Sequence, residues 1–415
     1  MTQSPAADLE ISRPRLRARL DALAEIGAID GGGNARLALT DADRDGRDLV
    51  VSWMRDLGLR IEVDEIGNVV GTWPADRTDP AVMTGSHIDT VATGGRFDGT
   101  LGVLAGLEVL ETIITAGVDL AHPVAVAFFT DEEGSRFAPD MLGSLVFAGG
   151  LALEDALALR AIDGAILGEE LLRIGYAGPQ PCPARPPRAF VELHIEQGPV
   201  LEAEAVTIGV VTSVQGISWT ELAITGQSNH AGTTPMAMRH DAGYAAAAIA
   251  TFARDLATEM GPPQVATVGR IELHPNLVNV VAGRATMTVD LRNTDDALVT
   301  ESEARLFAFC DELATSEGVE ITRRSLARFA PVAFDERVVA LVEEIAQARG
   351  HSTKRMPSGA GHDAQMLARV CPAAMVFVPS VKGISHNPAE FTADADLEAG
   401  ANVLLHVLLR LAGEP

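Results

Sequence analysis

Cysteine is scarce. Cys182, Cys310 and Cys371 are the only three, an odd number spaced too widely for a CxxC redox pair or a zinc knot, which leaves reduced, packed thiols as the expectation. Long apolar runs are missing as well: nothing approaches the ~18 residues of a membrane span. The opening MTQSPAADLEISRPRLRARL carries neither an apolar signal core nor an A-x-A cleavage site. A cytoplasmic protein without a membrane partner is expected. Basic residues are outnumbered, 32 against 57 acidic, for a formal charge of −25. Such a chain repels polyanions and offers no stripe to track phosphates, which argues against nucleic acid. The acidic surplus serves solubility and can also attract divalent cations. Internal repeats and low-complexity tracts are absent, apart from a short Pro-rich stretch at 179–187 that reads as a surface loop.

What is present is a folding chain of 415 residues, 47% apolar and 21% charged, longer than one hydrophobic core usually holds. Two domains are the natural division. Leu16, Leu20, Leu23 and Ile26 recur at helical spacing between Pro14 and Ile29. A second helix starts at Thr40-Asp41, carries an inward stripe of Leu49, Val50, Trp53, Met54 and Leu57, and closes at Gly58. Short β-like runs at Arg60–Val63 and Val69–Trp73 flank a turn at Gly67-Asn68.

Apolar strands at Ala81–Gly85, Val124–Phe129 and Ala189–Leu193 then alternate with helical stretches such as Gly102–Ala116. This pattern predicts an α/β fold, a mostly parallel sheet with helices on both faces. In such sheets the ligand crevice lies beyond the carboxyl ends of the strands. Polar clusters stand there: His87 and Asp89 after the first strand, Asp131, Glu132 and Glu133 after the second, His194 and Glu196 after the third. Between about 214 and 326 the order becomes strand Trp219–Ile224, helix Asp241–Glu259, strands Gln264–Ile271 and Ala285–Leu291, helix Glu301–Leu313 and strand Val319–Ser325. That β-α-β-β-α-β order is the ferredoxin-like plan, a lid candidate inserted into the larger domain. The expected division is 1–213 and 328–415 for the sheet domain and 214–327 for the insert. Helix Glu336–Gly350, a Gly-rich turn at Ser358–Gly361, strand Ala373–Val378 and a helix from Asp394 complete the chain.

A pair of metal ions about 3.5–4 Å apart needs imidazole nitrogens, carboxylate oxygens with one to bridge, and a nearby base. The sequence offers His87 in GSHIDTV, Asp98 in GGRFDG, Glu132 and Glu133 in FFTDEEGSRF, His194 in LHIEQG and His386 in SHNPAEF. Taken singly, a histidine after a strand is more often a structural residue, and a Glu pair is more often solvated surface. Their joint placement after buried apolar runs is hard to reconcile with surface charge, because uncompensated charges there cost several kcal/mol. A metal site is expected.

Together GSHIDTV, GGRFDG, TDEEGSRF, LHIEQGPVLE, GQSNHAGTTPM and SHNPAEF resemble the carbamoylase branch of the M20-type metallopeptidase superfamily, in order from about His87 to His386. That branch comprises N-carbamoyl-L-amino acid hydrolases, β-ureidopropionases and allantoate amidohydrolases. The resemblance implies that His87 and His194 hold one ion, Glu133 and His386 the other, and that Asp98 bridges. Asp89 would be the carboxylate that fixes the His87 tautomer. Glu132 would take a proton from the attacking water and pass it to the leaving nitrogen. True peptidases of the superfamily usually carry a carboxylate where His194 stands, which favours carbamoyl chemistry. The ions stay open among Zn²⁺, Mn²⁺, Co²⁺ and Ni²⁺.

The same resemblance assigns Arg292 and Asn279 to the substrate's carboxylate, Gln197 to the carbamoyl amide, and His230 to polarising the scissile carbonyl from the partner subunit's lid in a homodimer. It sets Gly361 and His362 near the substrate carboxylate. Each has a plainer reading beside it: a surface salt bridge with Asp290 for Arg292, a loop cap for His230, a helix cap or loop contact for Gln197, and a helix start at Asp363 for Gly361 and His362. The expected reaction is hydrolysis of an N-carbamoyl-L-amino acid, a small-molecule substrate, to the amino acid, carbon dioxide and ammonia. N-carbamoyl-β-alanine and allantoate are alternatives that differ too little for sequence to separate. A peptidase and a catalytically silent metal-binding dimer are the remaining readings. An unliganded Glu132 beside a ligand has no use in the silent dimer.

Overall fold

Four strands without polar alternation, Val82–His87, Val124–Phe129, Ala189–Ile195 and Ala373–Val378, are buried at every residue. Strands covered on both faces read as continuous apolar runs, and these four are the parallel centre of a nine-stranded sheet. The computed structural model describes residues 8–413. Its contacts divide the chain into two units, one formed by the segments up to Thr212 and from Ala333, the other by Ser213–Val332.

In the larger unit the strand order runs Arg60–Val63, Val69–Trp73, Val124–Phe129, Val82–His87, Ala189–Ile195, Ala373–Val378, Ile208–Val214. The sheet is mixed. The four central strands pair parallel with one another, while Val69–Trp73 on one side and Ile208–Val214 on the other pair antiparallel with them. One group of helices, Arg13–Ala24, Thr100–Ala116, Glu336–Ala348 and Asp394–Gly413, packs on the sheet and on one another. A second group, Leu142–Phe147 and Asp363–Leu367, packs together against the same central strands. Among the described residues no helix is long and apolar enough to cross a membrane.

Several boundaries differ from the sequence reading for physical reasons. The first helix ends at Ala24, short of Ile29, because buried side chains take its last carbonyls. Arg36 donates to Leu23 O and Ile26 O at 3.0 and 2.7 Å, and Asn34 to Ala24 O and Ile26 O at 3.0 and 2.9 Å. The second helix, Asp41–Asp56, begins at the expected Thr40 cap, but its buried stripe includes Asp43 and Arg47. These form an ion pair at 2.8 Å that polarity-based reading turns outward.

The smaller unit follows strand Gly216–Thr225, helix Ala242–Met260, strands Val265–His274 and Arg284–Asn293, helix Asp296–Glu317 and strand Glu320–Phe329. All pairings in its sheet are antiparallel, and from one edge the first residues of successive strands are Glu320, Gly216, Arg284 and Val265. Leu222, Ile224, Met287, Val289, Leu306 and Cys310 share its core with the small side chains Ala245, Ala246 and Ala253, which let the helix lie close on the sheet. The last strand runs on to Phe329, so the unit closes at Val332, beyond 327.

Candidate metal centre

Strand register brings the chemistry together. In the parallel ladder His87 pairs with Phe129, and His194 pairs with Phe377, so the carboxyl ends of all four central strands stand level. His87 is the last residue of its strand and His194 the next to last, so both strands run two residues further than apolar content alone indicates. Glu132 and Glu133 follow Phe129 in the next loop, and His386 follows the last of the four strands.

Each buried imidazole is oriented by a main-chain carbonyl. His87 Nδ1 lies 2.8 Å from Asp89 O, and His194 Nδ1 lies 2.8 Å from Ile195 O. A carbonyl only accepts, so Nδ1–H points outward and Nε2 turns to the centre. There Asp98 Oδ1 stands 3.2 Å from His194 Nε2 and 3.9 Å from His87 Nε2. The other oxygen, Oδ2, stands 3.2 Å from His386 Nε2, which lies 3.2 Å from Glu133 Oε2. Asp98 thus belongs to two ligand groups, His87–Asp98–His194 and Asp98–Glu133–His386, each with its ligand atoms within 4.8 Å of one another. Glycine at 99 is required twice over. Its φ is +63°, and a Cβ there would lie 2.3 Å from the His87 ring.

The electrostatics call for positive charge. Burial works to lower His194, but the hydrogen bond and charge of Asp98 raise it to about 9. Hydrogen bonds with Asp98 and Glu133 raise His386 to about 11. Burial pushes against Asp98's ionised form, yet hydrogen bonds to His194 and His386 hold its carboxyl well below the usual range. Glu132 is pushed well up, first by burial and then by the charges of Asp363, Glu133 and Asp89. Its Oε2 lies 3.3 Å from His87 Nε2.

Asp89 is placed otherwise than the resemblance implies. Its carboxylate is 3.9 Å from His87 Nδ1, and its main-chain carbonyl orients the ring instead. The carboxylate oxygens accept from the Glu132 and Glu133 amides at 3.3 Å each, which fixes the acidic loop. Gln197 joins the centre: Nε2 donates to Asp98 Oδ2 at 2.9 Å, while its buried Oε1 has no hydrogen-bond partner among the described residues. His362 lies buried edge-on to His194, ring centroids 4.5 Å apart, with Nε2 2.9 Å from Ser358 Oγ. Burial, then the charge of His194, pushes it well below the usual histidine range, so it stays neutral. A Cβ at Gly361 would lie 2.7 Å from Met141 Cε, so that glycine serves a close approach in the turn.

The remaining expected residues lie in the smaller unit. His230 is exposed, and its Nδ1 accepts from the Gly232 and Thr233 amides at 3.1 and 3.3 Å. It caps its loop, and the neutral ring then carries its proton on Nε2, free to donate outward. Asn279 is exposed on the neighbouring segment, where its carbonyl accepts from Ala231 N at 3.0 Å. Arg292 forms the Asp290 salt bridge at 2.9 Å and lies 5.9 Å from the Trp219 ring.

Sequence reasoning missed Glu192, Ser385 and Glu390. Glu192 sits inside a fully buried strand, accepting from Ser86 Oγ at 2.6 Å and Ala364 N at 2.8 Å. A charge within the run AFVELHI was the available signal. Glu390 is the last residue but one of SHNPAEF and accepts from the Phe97 and Asp98 amides.

Known proteins resemble this chain along nearly its whole length. The model of the family described as Peptidase family M20/M25/M40 matches residues 83–410. An N-carbamoyl-L-amino-acid amidohydrolase of Rhizobium meliloti is 43% identical over 99% of each chain. An allantoate amidohydrolase of Escherichia coli (strain K12) is 36% identical over 96% of this chain and 98% of its own. Among solved structures, an amidase of the hydantoinase/carbamoylase family from Burkholderia multivorans superposes with a TM-score of 0.94 at 48% identity, covering 98% of this chain and 99% of its own.

Proposed function

The chain belongs to Peptidase family M20/M25/M40, and on that premise we propose that it hydrolyses the carbamoyl C–N bond of N-carbamoyl-L-amino acids, giving amino acid, carbon dioxide and ammonia. One observation carries the reading: a single buried carboxylate, Asp98, faces histidines of two separate ligand groups with its two oxygens. The donor set fits two divalent cations, His87 and His194 holding one, Glu133 and His386 the other, with Asp98 shared. Imidazole and carboxylate donors suit Zn²⁺, Mn²⁺, Co²⁺ and Ni²⁺ alike. Ions so held acidify water and polarise a carbonyl.

The protein's own groups supply the rest. Glu132, a carboxylate with a raised proton affinity, accepts the proton of the attacking water and delivers it to the leaving nitrogen. Gln197 offers its unpartnered Oε1 to the carbamoyl N–H. His230, with Nδ1 occupied by its own loop, offers Nε2–H to the oxygen that gains charge. Arg292 and Asn279 receive the substrate carboxylate, and Asp290 keeps the guanidinium oriented. Gly361 and His362 shape the turn beside His194, His362 by bracing its ring.

We assign the smaller unit, Ser213–Val332, to a lid that also forms a homodimer. Its edge strand Val265–His274 leaves Ile271 and Leu273 exposed, which supports pairing with a second copy. The three unpaired cysteines support a cytoplasmic setting. The deciding experiment is ammonia release from a panel of N-carbamoyl-L-amino acids, N-carbamoyl-β-alanine and allantoate, after chelation and restoration of a defined metal. Turnover of the carbamoyl-L-amino acids is the expected result. Preference for allantoate would move the assignment to the activity named for the 36% identical relative.

A further inference from the structure

Two loops of the metal centre are tied together by a residue that the proposed reaction does not use. Glu390 is only 4% exposed, although it is a carboxylate in a loop. Its Oε1 accepts from Phe97 N at 2.9 Å and Asp98 N at 3.2 Å, so the main chain that presents the bridging carboxylate ends on it. Its Oε2 accepts from Ser385 Oγ at 3.1 Å, and the same hydroxyl lies 3.2 Å from Asp98 Oδ2. The loop around Gly95 closes so tightly on this side chain that a Cβ there would lie 2.1 Å from Glu390 Cδ. Glu390 itself is set by a turn, its amide donating to Asn387 O at 2.9 Å.

We infer that Glu390 is the positioning residue of this centre, holding the Asp98 loop and the His386 loop at the spacing at which one carboxylate serves both ligand groups. The inference rests on the metal-dependent reading above. Glu390 belongs to neither ligand group. It acts through the Asp98 main chain and through Ser385. A glutamine in its place keeps this geometry, because its Oε1 still accepts from both amides. Its Nε2 then donates to Ser385 Oγ, whose proton goes to Asp98. An alanine leaves both buried amides unpaired and releases the hydroxyl.

The test compares the parent, Glu390→Gln and Glu390→Ala as full chains, stripped of metal and titrated with Mn²⁺ and with Zn²⁺ against a competing chelator. Glu390→Ala is expected to bind either ion about 10- to 100-fold more weakly, with kcat at saturating metal lowered by a similar factor and KM within about threefold. The stripped Glu390→Ala chain should melt lower than the stripped parent, for its two unpaired amides, yet be folded at the temperature of the titration, and Glu390→Gln should restore both the melting temperature and metal binding. Parental affinity in Glu390→Ala overturns the inference, as does a Glu390→Gln variant no better than the alanine. If Glu390→Ala does not fold, Ser385→Ala decides: weakened metal binding supports the tie, and parental binding overturns it. A parent that binds no metal overturns the functional reading itself, an outcome distinct from failure at Glu390 alone.

Discussion

Glu132 Oε2 lies 3.3 Å from His87 Nε2, so the proposed proton carrier stands beside a proposed ligand without belonging to either ligand group. Replacing it with glutamine removes the proton acceptor and leaves His87, Asp98, Glu133, His194 and His386 in place. Glu132→Gln should retain both ions by elemental analysis and lose about 10²–10⁴-fold in kcat for ammonia release. Loss of metal along with activity would make Glu132 a ligand.

Metal removal is the second expectation. Chelation should abolish ammonia release and lower the melting temperature, because a ligand that binds only the folded chain stabilises it by mass action. Without cations, the acidic groups around Asp98 lean on the histidines, and His194 and His386 are raised in consequence. Restoration with Mn²⁺, Zn²⁺, Co²⁺ or Ni²⁺, measured by scanning calorimetry and by turnover, ranks the ions. Unchanged turnover after complete stripping would remove metal from the reaction.

Arg292 divides binding from chemistry. Its guanidinium is already gripped by Asp290 at 2.9 Å, which holds it in one orientation. Arg292→Lys loses the planar double donor, and the expected cost is about 10- to 100-fold in kcat/KM, carried mainly by KM, for one charge-assisted pair. Steady-state kinetics on N-carbamoyl-L-methionine would show it. A variant with parental KM would return Arg292 to a structural salt bridge.

Asp64 gives a stability prediction away from the centre. Burial raises its carboxyl to about 6, against the lowering effect of hydrogen bonds from Asn68. Between the ordinary carboxyl value near 4 and this value, the folded chain keeps a proton that the unfolded chain has released. Its contribution to stability therefore falls as pH rises through that window and is lost above it. Urea midpoints from pH 4 to 7 should decline more steeply for the parent than for Asp64→Asn. Parallel profiles would contradict the assignment.

Much of this was legible because the signals were covalent neighbours. Val124–Phe129 and Ala373–Val378 appear in the structure with the predicted bounds, since four to eight consecutive apolar residues between polar turns leave a buried strand few alternatives. His87, Asp98, Glu133, His194 and His386 lie in motifs whose order identifies the family, and the structure brings them together. Asp43–Arg47, Glu192 and Glu390 were illegible for a common reason. Each is a buried charge that hydropathy turns toward water: Glu192 and Glu390 meet partners far along the chain, while Asp43 and Arg47 neutralise each other one helical turn apart. The Asp89 carboxylate was assigned to the wrong neighbour because sequence separation cannot tell its carbonyl from its side chain.

The strand Ala373–Val378 stands in the middle of the large sheet, between Ala189–Ile195 and Ile208–Val214, although almost the whole chain precedes it. During synthesis the earlier strands therefore emerge with a gap where their central neighbour belongs, and His386 leaves the ribosome later still. A nascent chain can assemble the His87–Asp98–His194 half of the centre long before the other half exists. Ion capture at the second position would then report that His386 has emerged and the last strand has slotted home.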